Sequence, residues 1–293
     1  MSLLFVCYSV YSQNPSQIDI LTTEDGLLFR DVSNITQDNK GLLWIGTTQG
    51  LNRYDGQNFK VYNSDVSNPF FIEDDYIKWN MVYDDATNSV WFSANDKLFQ
   101  LQISTDSIIS YNEKQHLNDR MLGLYKSPDN SIWVVTDDYW QVKKETSKLY
   151  LKRFENGKFN TISSVDRYKY VFNALSFDTK GSVWWSTTNG TNKYNSNGEL
   201  LESYILDTYD WNGDLIHYVP NFFDSNNTHY YFPESKGGIY TYNALKKTSE
   251  TLFETEKIIR RAIEDVDGNI WFAGDKTLYR MDKDRNFIDY TNL

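Results

Sequence analysis

Short apolar runs alternate along this chain with clusters of Asp, Asn, Gly, Ser and Thr, the pattern of strands separated by turns. One arrangement keeps returning: an acidic or polar residue opens a short turn, and an aromatic residue on an apolar strand follows six residues later. The clearest copies are Asp38-Asn-Lys-Gly41-Leu-Leu-Trp44, Asp178-Thr-Lys-Gly181-Ser-Val-Trp184 and Asp265-Val-Asp-Gly268-Asn-Ile-Trp271. Looser copies put Trp91 after Asp85, Trp133 after Ser127 and Tyr230 after Asp224. Successive aromatics lie 47, 42, 51, 46 and 41 residues apart. That period suits a four-stranded antiparallel blade, so the pattern predicts an all-β fold, a β-propeller with six blades visible.

One unit shows how a blade is built. Residues 32–38 read as the inner strand, with Asp38 and Gly41 forming the hairpin that follows. A carboxylate accepts backbone N–H groups in an Asx turn, and Gly takes positive φ without a Cβ clash. Residues 42–48 carry Trp44 on the second strand, 50–55 form the third and 58–62 the fourth, with an Asp55-Gly56 turn between the last two. Tyr54, Leu101, Tyr194 and Met281 each follow their own Trp by ten residues, which predicts that they lie beside it on one face. Gly46, Ser93 and Ser186, two residues past the Trp, are expected to leave room for an aromatic of the neighbouring blade; in the last unit Gly274 is offset by one.

Two units depart from the pattern. The third has Lys143 where an apolar match is due, and predicts a longer loop or extended hairpin before Phe154 and Phe159. The fifth has Tyr230 in place of Trp and Pro233 near the strand end, which predicts an irregular edge. Residues 18–27 resemble an outermost strand and its link to the next inner strand, yet no three inner strands precede them. The last unit has a fourth strand of its own at 287–290, so six units and an orphan strand predict part of a seven-bladed propeller that continues beyond Leu293.

Composition narrows the function. Aromatics make up 16% of the 293 residues and Pro is scarce, a mix for pleated, face-packed strands. The formal net charge of −11, with no Lys/Arg run, argues against a phosphate-backbone or anionic-membrane partner. Residues 1–12 are uncharged and include Leu3-Leu4-Phe5-Val6-Cys7. They read as a secretory signal lacking its basic start, with Ser12 before the cleavage point and the propeller occupying 13–293. Val6 is too bulky to precede a lipidated Cys7, and a strand-like N-terminus is the competing reading. Export would leave a mature chain without cysteine, held together by its sheets alone.

Residues 35–56, from Ile35-Thr-Gln-Asp38 through Trp44-Ile-Gly-Thr47 to Leu51-Asn-Arg53-Tyr54-Asp55-Gly56, resemble the two-component regulator propeller repeat, and residues 21–27 are similar to the segment that starts such arrays. The fourth and sixth units are good copies; the other three are degenerate. The resemblance implies the periplasmic sensor part of a bacterial receptor, followed in the family by further blades, a β-sandwich linker, a transmembrane helix and a histidine kinase or other output module. It also implies oligosaccharide ligands, a homodimeric receptor, and membrane contact only through a transmembrane segment absent from this chain.

A ligand is expected at the end of the ring where the inter-blade connectors meet the loops between second and third strands. The candidates there are Arg120, Asp138, Tyr139, Trp140, Tyr170, Trp211, His217 and Tyr218, with Arg30, Asp31, Lys78, Trp79, Asp137, Tyr168, Asn189, Lys236, Arg260 and Arg261 nearby. Aromatics interleaved with carboxylates and amides suit sugars: rings stack on C–H faces and polar groups take hydroxyls. Several of these residues have simpler roles: Trp79 aligns with the strand position of Val32, Trp185 faces away from the motif Trp into the neighbouring sheet, and Arg260-Arg261 reads as a solvated edge. His116, His217 and His229 show no metal-ligand spacing, and no nucleophile elbow or phosphate loop is present. No cofactor or metal is expected. A sensor propeller is therefore the leading reading; an exported lyase or glycosidase using His217, and a pure interaction scaffold, are the alternatives.

Overall fold

The structure is a computed structural model that describes residues 20–77, 81–112, 117–139, 141–142, 146–166, 173–187, 190–204, 208–209, 215–216, 222–232, 237–243, 248–274 and 276–291. Six four-stranded antiparallel sheets follow one another as the blades of a β-propeller, spanning 32–62, 82–111, 120–166, 173–204, 222–253 and 259–289. In each, the strands pair in chain order. The inner strands of successive blades are neighbours, which wraps the sheets about a common axis. Among the described residues there is no α-helix, and none is long and apolar enough to cross a membrane.

The first blade is made of β1 (Val32–Gln37), β2 (Leu43–Thr47), β3 (Gly50–Tyr54) and β4 (Phe59–Tyr62), close to the expected bounds. Asp38 Oδ1 accepts from the backbone N–H groups of Lys40 (2.9 Å) and Leu42 (3.0 Å), and Gly41 sits at φ +83°, so the Asx-turn reading holds. The carboxylate also does what spacing alone did not disclose. Its second oxygen accepts the indole N–H of Trp44 at 3.0 Å. The same bond recurs from Trp184 to Asp178 (3.1 Å), from Trp271 to Asp265 (2.9 Å) and from the Tyr230 hydroxyl to Asp224 (3.1 Å), while Ser127 Oγ accepts from Trp133 at 3.3 Å.

The second unit breaks this rule. Its hairpin is one residue longer, since Trp91 pairs with Val82 nine residues back where the other motif aromatics pair eight back, and the cap is Asp84, which accepts from Ala86 N–H and the Thr87 hydroxyl. Asp85 turns outward to Lys126 (2.9 Å), and the buried Trp91 indole nitrogen has no hydrogen-bond partner.

The pairing of second and third strands corrects one expectation. Trp44 pairs with Arg53 and Leu43 with Tyr54, so residues ten past the Trp lie on the opposite face. The true cross-strand partners are Arg53, Gln100, Arg153, Lys193 and Arg280. Four are cations, and each sits 4.8–5.9 Å from the ring centre of its Trp. Gln100 is the exception, in the blade whose indole nitrogen has no hydrogen-bond partner. The space over Gly46 is also filled differently from expectation: a Cβ there would meet Ile77 and Met81 at 2.8 and 3.1 Å, not an aromatic.

The core is a series of blade-to-blade layers. Trp44, Leu51 and Phe92 pack between blades 1 and 2; Trp91, Tyr111 and Phe159 between 2 and 3; Trp133, Leu151 and Trp185 between 3 and 4; Tyr230, Phe272 and Met281 between 5 and 6. Trp185 thus faces away from Trp184 as expected. The third unit has the extended hairpin, Lys148–Glu155 with Lys158–Asp166, which leans on blade 4 through Tyr194 and Ser163 (2.9 Å). Blade 5 is irregular, its first two strands only two and three residues long. At the N-terminus, the described part of residues 18–27 forms no strand but a capped 3-10 turn, Thr23–Asp25. A short hairpin, Thr208–Tyr209 with Leu215–Ile216, lies in the connector between blades 4 and 5.

Candidate functional site

Antiparallel topology brings the start of each inner strand and the end of each second strand to one end of the ring. In blade 3 this places Arg120 directly opposite Asp137. The Arg120 guanidinium donates twice to the Asp137 carboxylate, Nε to Oδ1 at 2.9 Å and Nη2 to Oδ2 at 2.5 Å, and Asp137 is completely buried. That hydrogen-bonded carboxylate raises the Arg120 pKa further, so its charge is fixed. The guanidinium lies 5.2 Å from the Tyr139 ring, whose own backbone N–H donates to Asp137 Oδ1 at 3.4 Å. Arg120, Asp137 and Tyr139 form one rigid unit at the mouth of blade 3.

Asp138 has a different task. Its Oδ1 accepts the Lys148 N–H and its Oδ2 the Tyr150 hydroxyl, both at 2.7 Å, tying the loop to the third strand. Burial pushes its pKa up, but those bonds outweigh it and hold the group ionised below the usual carboxylate range. Tyr150 is pushed up to about 12 by burial and by Asp138. Asp138 braces the site.

Two residues of this cluster escaped sequence reasoning. Lys152 forms a nearly buried ion pair with Asp119, whose Oδ2 also accepts the Thr136 hydroxyl at 3.2 Å. Lys152 alternates with Leu149 and Leu151 on its strand, a polar residue in an apolar stretch that marks an internal partner. Beside them, Lys97 bridges Glu73 (3.2 Å) and Asp74 (2.7 Å), and Asn95 donates to Asp74, pinning the connector between blades 1 and 2.

Of the other candidates, Arg30 and Asp31 make an exposed pair at 3.7 Å, and Arg260 and Arg261 are exposed on the inner strand of blade 6. Trp140, Tyr170, Trp211, His217, Tyr218, Lys78, Trp79, Tyr168, Asn189 and Lys236 lie outside the described residues. Among the described residues no group of three His, Cys, Asp or Glu could hold a metal ion. His229 is buried between blades 4 and 5, stacked on Phe223 at 4.1 Å. Two clefts, of about 800 and 470 Å³, open at the opposite end of the ring beside the turns of Asp224, Asp265 and Asp178.

Ion pairs, an aromatic ring beside a guanidinium and several acceptor oxygens thus lie together at this end of blade 3, and known proteins give the fold a context. The model of the two component regulator propeller matches residues 26–49, which end at the turn between β2 and β3 of blade 1. The chain is a β-propeller that carries this repeat. A stretch of 61 residues is 41% identical to histidine kinase P4 of Formosa agariphila, covering 20% of this chain and 4% of that protein. Among solved structures, the fold resembles the extracellular domain of BT3049 from B. thetaiotaomicron, described as a hybrid two component system. The TM-score is 0.69 at 18% identity, over 92% of this chain and 36% of that one. It also resembles virginiamycin B lyase from Staphylococcus aureus, with a TM-score of 0.63 at 13% identity over 89% and 84% of the two chains. These last two likenesses are of fold alone. The chain spans about a third of the BT3049 domain, and its aligned stretch a far smaller part of the kinase.

Proposed function

We propose that this propeller is the exported, periplasmic ligand-sensing portion of a bacterial two-component signalling receptor, and that its ligand is carbohydrate-like. The observation that carries the reading is the two component regulator propeller repeat in blade 1. The fold shared with an extracellular domain described as part of a hybrid two component system supports it. Within this reading the unit of Arg120, Asp137 and Tyr139 offers an immobilised aromatic face to a sugar ring. The chain itself performs no catalysis, and a histidine kinase elsewhere in the receptor supplies the output.

A thermal-shift screen of the purified chain against neutral and acidic oligosaccharides tests the ligand. A true binder at a hundredfold excess over its Kd adds about 2.7 kcal/mol of stability. A flat response to every sugar removes the carbohydrate, and failure of residues 1–12 to export a reporter removes the periplasm.

One observation favours a second reading. The structural neighbours include lyases, one of them described as catalytically inactive with a histidine replaced by alanine, so a histidine matters in that enzyme. In this chain His217 is the candidate for such a role. Turnover of a streptogramin by the purified chain, lost in His217→Ala, would establish the lyase reading against the sensor.

A further inference from the structure

The seam between blades 4 and 5 uses its cation differently from the seam before it. In blade 3, Arg153 lies over Trp133 and reaches across to blade 4, where Nη1 donates to the Ser196 carbonyl at 2.5 Å. Lys193 holds the same place in blade 4, paired with Trp184 across the strands. Its ammonium stays within its own blade, 3.3 Å from Asp178 and 4.8 Å from the centre of the Trp184 ring. Among the described residues it makes no hydrogen bond or ion pair across the seam. An ammonium carries three N–H donors, and Asp178 is already committed elsewhere. Its Oδ2 also accepts the Trp184 indole N–H, and its Oδ1 caps the turn. The Lys193 side chain is 23% exposed while Asp178 is buried, so the spare donors face the cleft of about 470 Å³ that opens here.

The walls of this cleft share one chemistry. Lys180 and Arg285 stand exposed at its rim. Three cations against two carboxylates, one of them bonded, make it locally positive in a chain of net charge −11. The blade 5 wall presents Thr241, Asn243 and Thr248, with exposed Glu250 opposite Thr241 on the next strand. Those groups donate to and accept from hydroxyls. The adjoining cleft between blades 5 and 6 has the opposite character. Asp224, Glu264, Asp265, Asp267 and Asp282 line it, and Arg285 stands between the two.

We infer that the cleft between blades 4 and 5 is a second binding site, for a hydroxylated small carboxylate of sugar-acid size, whose carboxylate meets Lys193 and whose hydroxyls meet the blade 5 wall. The volume lies within the roughly 300–1,000 Å³ of small-molecule sites. A neutral sugar would use the hydroxyl-binding wall and leave the cations idle; a bare anion would do the reverse. A sugar acid engages both, and its charge-assisted bond to the ammonium is the stronger kind. Bound there, it links blade 4 to blade 5 as Arg153 links blade 3 to blade 4. The site lies at the opposite end of the ring from Arg120 and Tyr139 and does not depend on the receptor reading.

Isothermal titration calorimetry of the purified chain tests it, with glucuronate as the probe and glucose and acetate as its two halves. Glucuronate should bind roughly tenfold or more tightly than either. Lys180→Ala/Arg285→Ala should weaken it roughly tenfold, since it removes both rim cations. Lys193→Met should weaken it further. Lys283→Ala, which takes a charge from the neighbouring cleft, should leave it unchanged. Lys193→Met also strips a partner from buried Asp178, so the exposed rim pair, which lies outside the core, is the deciding variant. No heat with glucuronate overturns the proposal, as do equal affinities for acetate or glucose and binding that survives the rim variant. Binding that survives there but disappears in Tyr139→Ala would put the acid at the mouth of blade 3, sinking this site while the receptor reading stands.

Discussion

The indole N–H of Trp44 donates to Oδ2 of Asp38 at 3.0 Å, while Oδ1 of the same carboxylate caps the turn between them. One side chain therefore fixes both the hairpin and the orientation of the residue that packs on the next blade. Asp38 is 6% exposed and Trp44 fully buried, so each would be left with an unsatisfied polar atom if the other were removed.

Asp38→Ala should destabilise the protein by about 1–3 kcal/mol, because it orphans a buried indole N–H and two turn amides together. Asp38→Asn should cost less, since Oδ1 can still cap the turn. Urea midpoints for the two variants measure the difference. Equal losses would show that the turn cap contributes nothing beyond the indole bond.

Blade 2 supplies the control within the same molecule. Trp91 is as buried as Trp44, but its indole nitrogen has no partner, because the hairpin, one residue longer, carries Asp85 away to Lys126. Trp91→Phe should therefore be nearly neutral apart from the lost ring volume, and Trp44→Phe should cost about 1–2 kcal/mol more by orphaning Asp38 Oδ2. Parallel denaturation curves for both variants decide it; a larger loss at Trp91 would sink the account.

These rivets explain what the chain disclosed and what it withheld. The turn and its Trp were legible because an Asx cap fixes a spacing of six positions from one to the other. The second oxygen was not, since its partner is set by how the indole folds back over the turn. The face of Tyr54 was misread by counting ten residues from Trp44. A two-residue hairpin in which Thr47 opposes Gly50 puts Arg53, nine residues on, across from the Trp. Arg120 and Tyr139 could be placed at one mouth because the topology brings connectors and loops together. Asp119 and Lys152 could not, since 33 residues separate them and only the fold makes the pair.

Breaking the blade 3 clamp should be expensive. Arg120→Ala leaves the Asp137 carboxylate charged at a site with no solvent access, and should cost about 3–5 kcal/mol. Arg120→Met with Asp137→Leu removes both charges and should recover most of that loss. A double-mutant cycle by thermal denaturation gives the coupling directly. If the double variant is as unstable as Arg120→Ala, the penalty comes from lost packing around Tyr139 and not from the stranded charge.

His229 makes stability depend on pH in a predictable direction. It is 3% exposed, lies 5.2 Å from Trp184 and meets the Tyr242 ring edge-on. Burial pushes its pKa down to about 3, with Asp178 pulling it up and Lys193 pushing it down again. In the unfolded chain a histidine takes its proton near pH 6.5. Between those values the unfolded state binds a proton that the folded state refuses, so stability falls as pH drops below about 6.5, by at most about 1.4 kcal/mol per pH unit. The carboxylates act lower. Burial pushes the Asp178 pKa up, but hydrogen bonds from Ser182 and Trp184 outweigh it and hold it below the ordinary value, so its contribution is complete above about pH 4 and fades beneath it. His229→Phe keeps the stack on Phe223 and removes the titrating ring, and should flatten the stability profile between pH 6.5 and 4 while leaving the acid limb in place. Denaturant midpoints across that range for wild type and variant give the test; parallel curves would mean that the imidazole takes up its proton inside the fold.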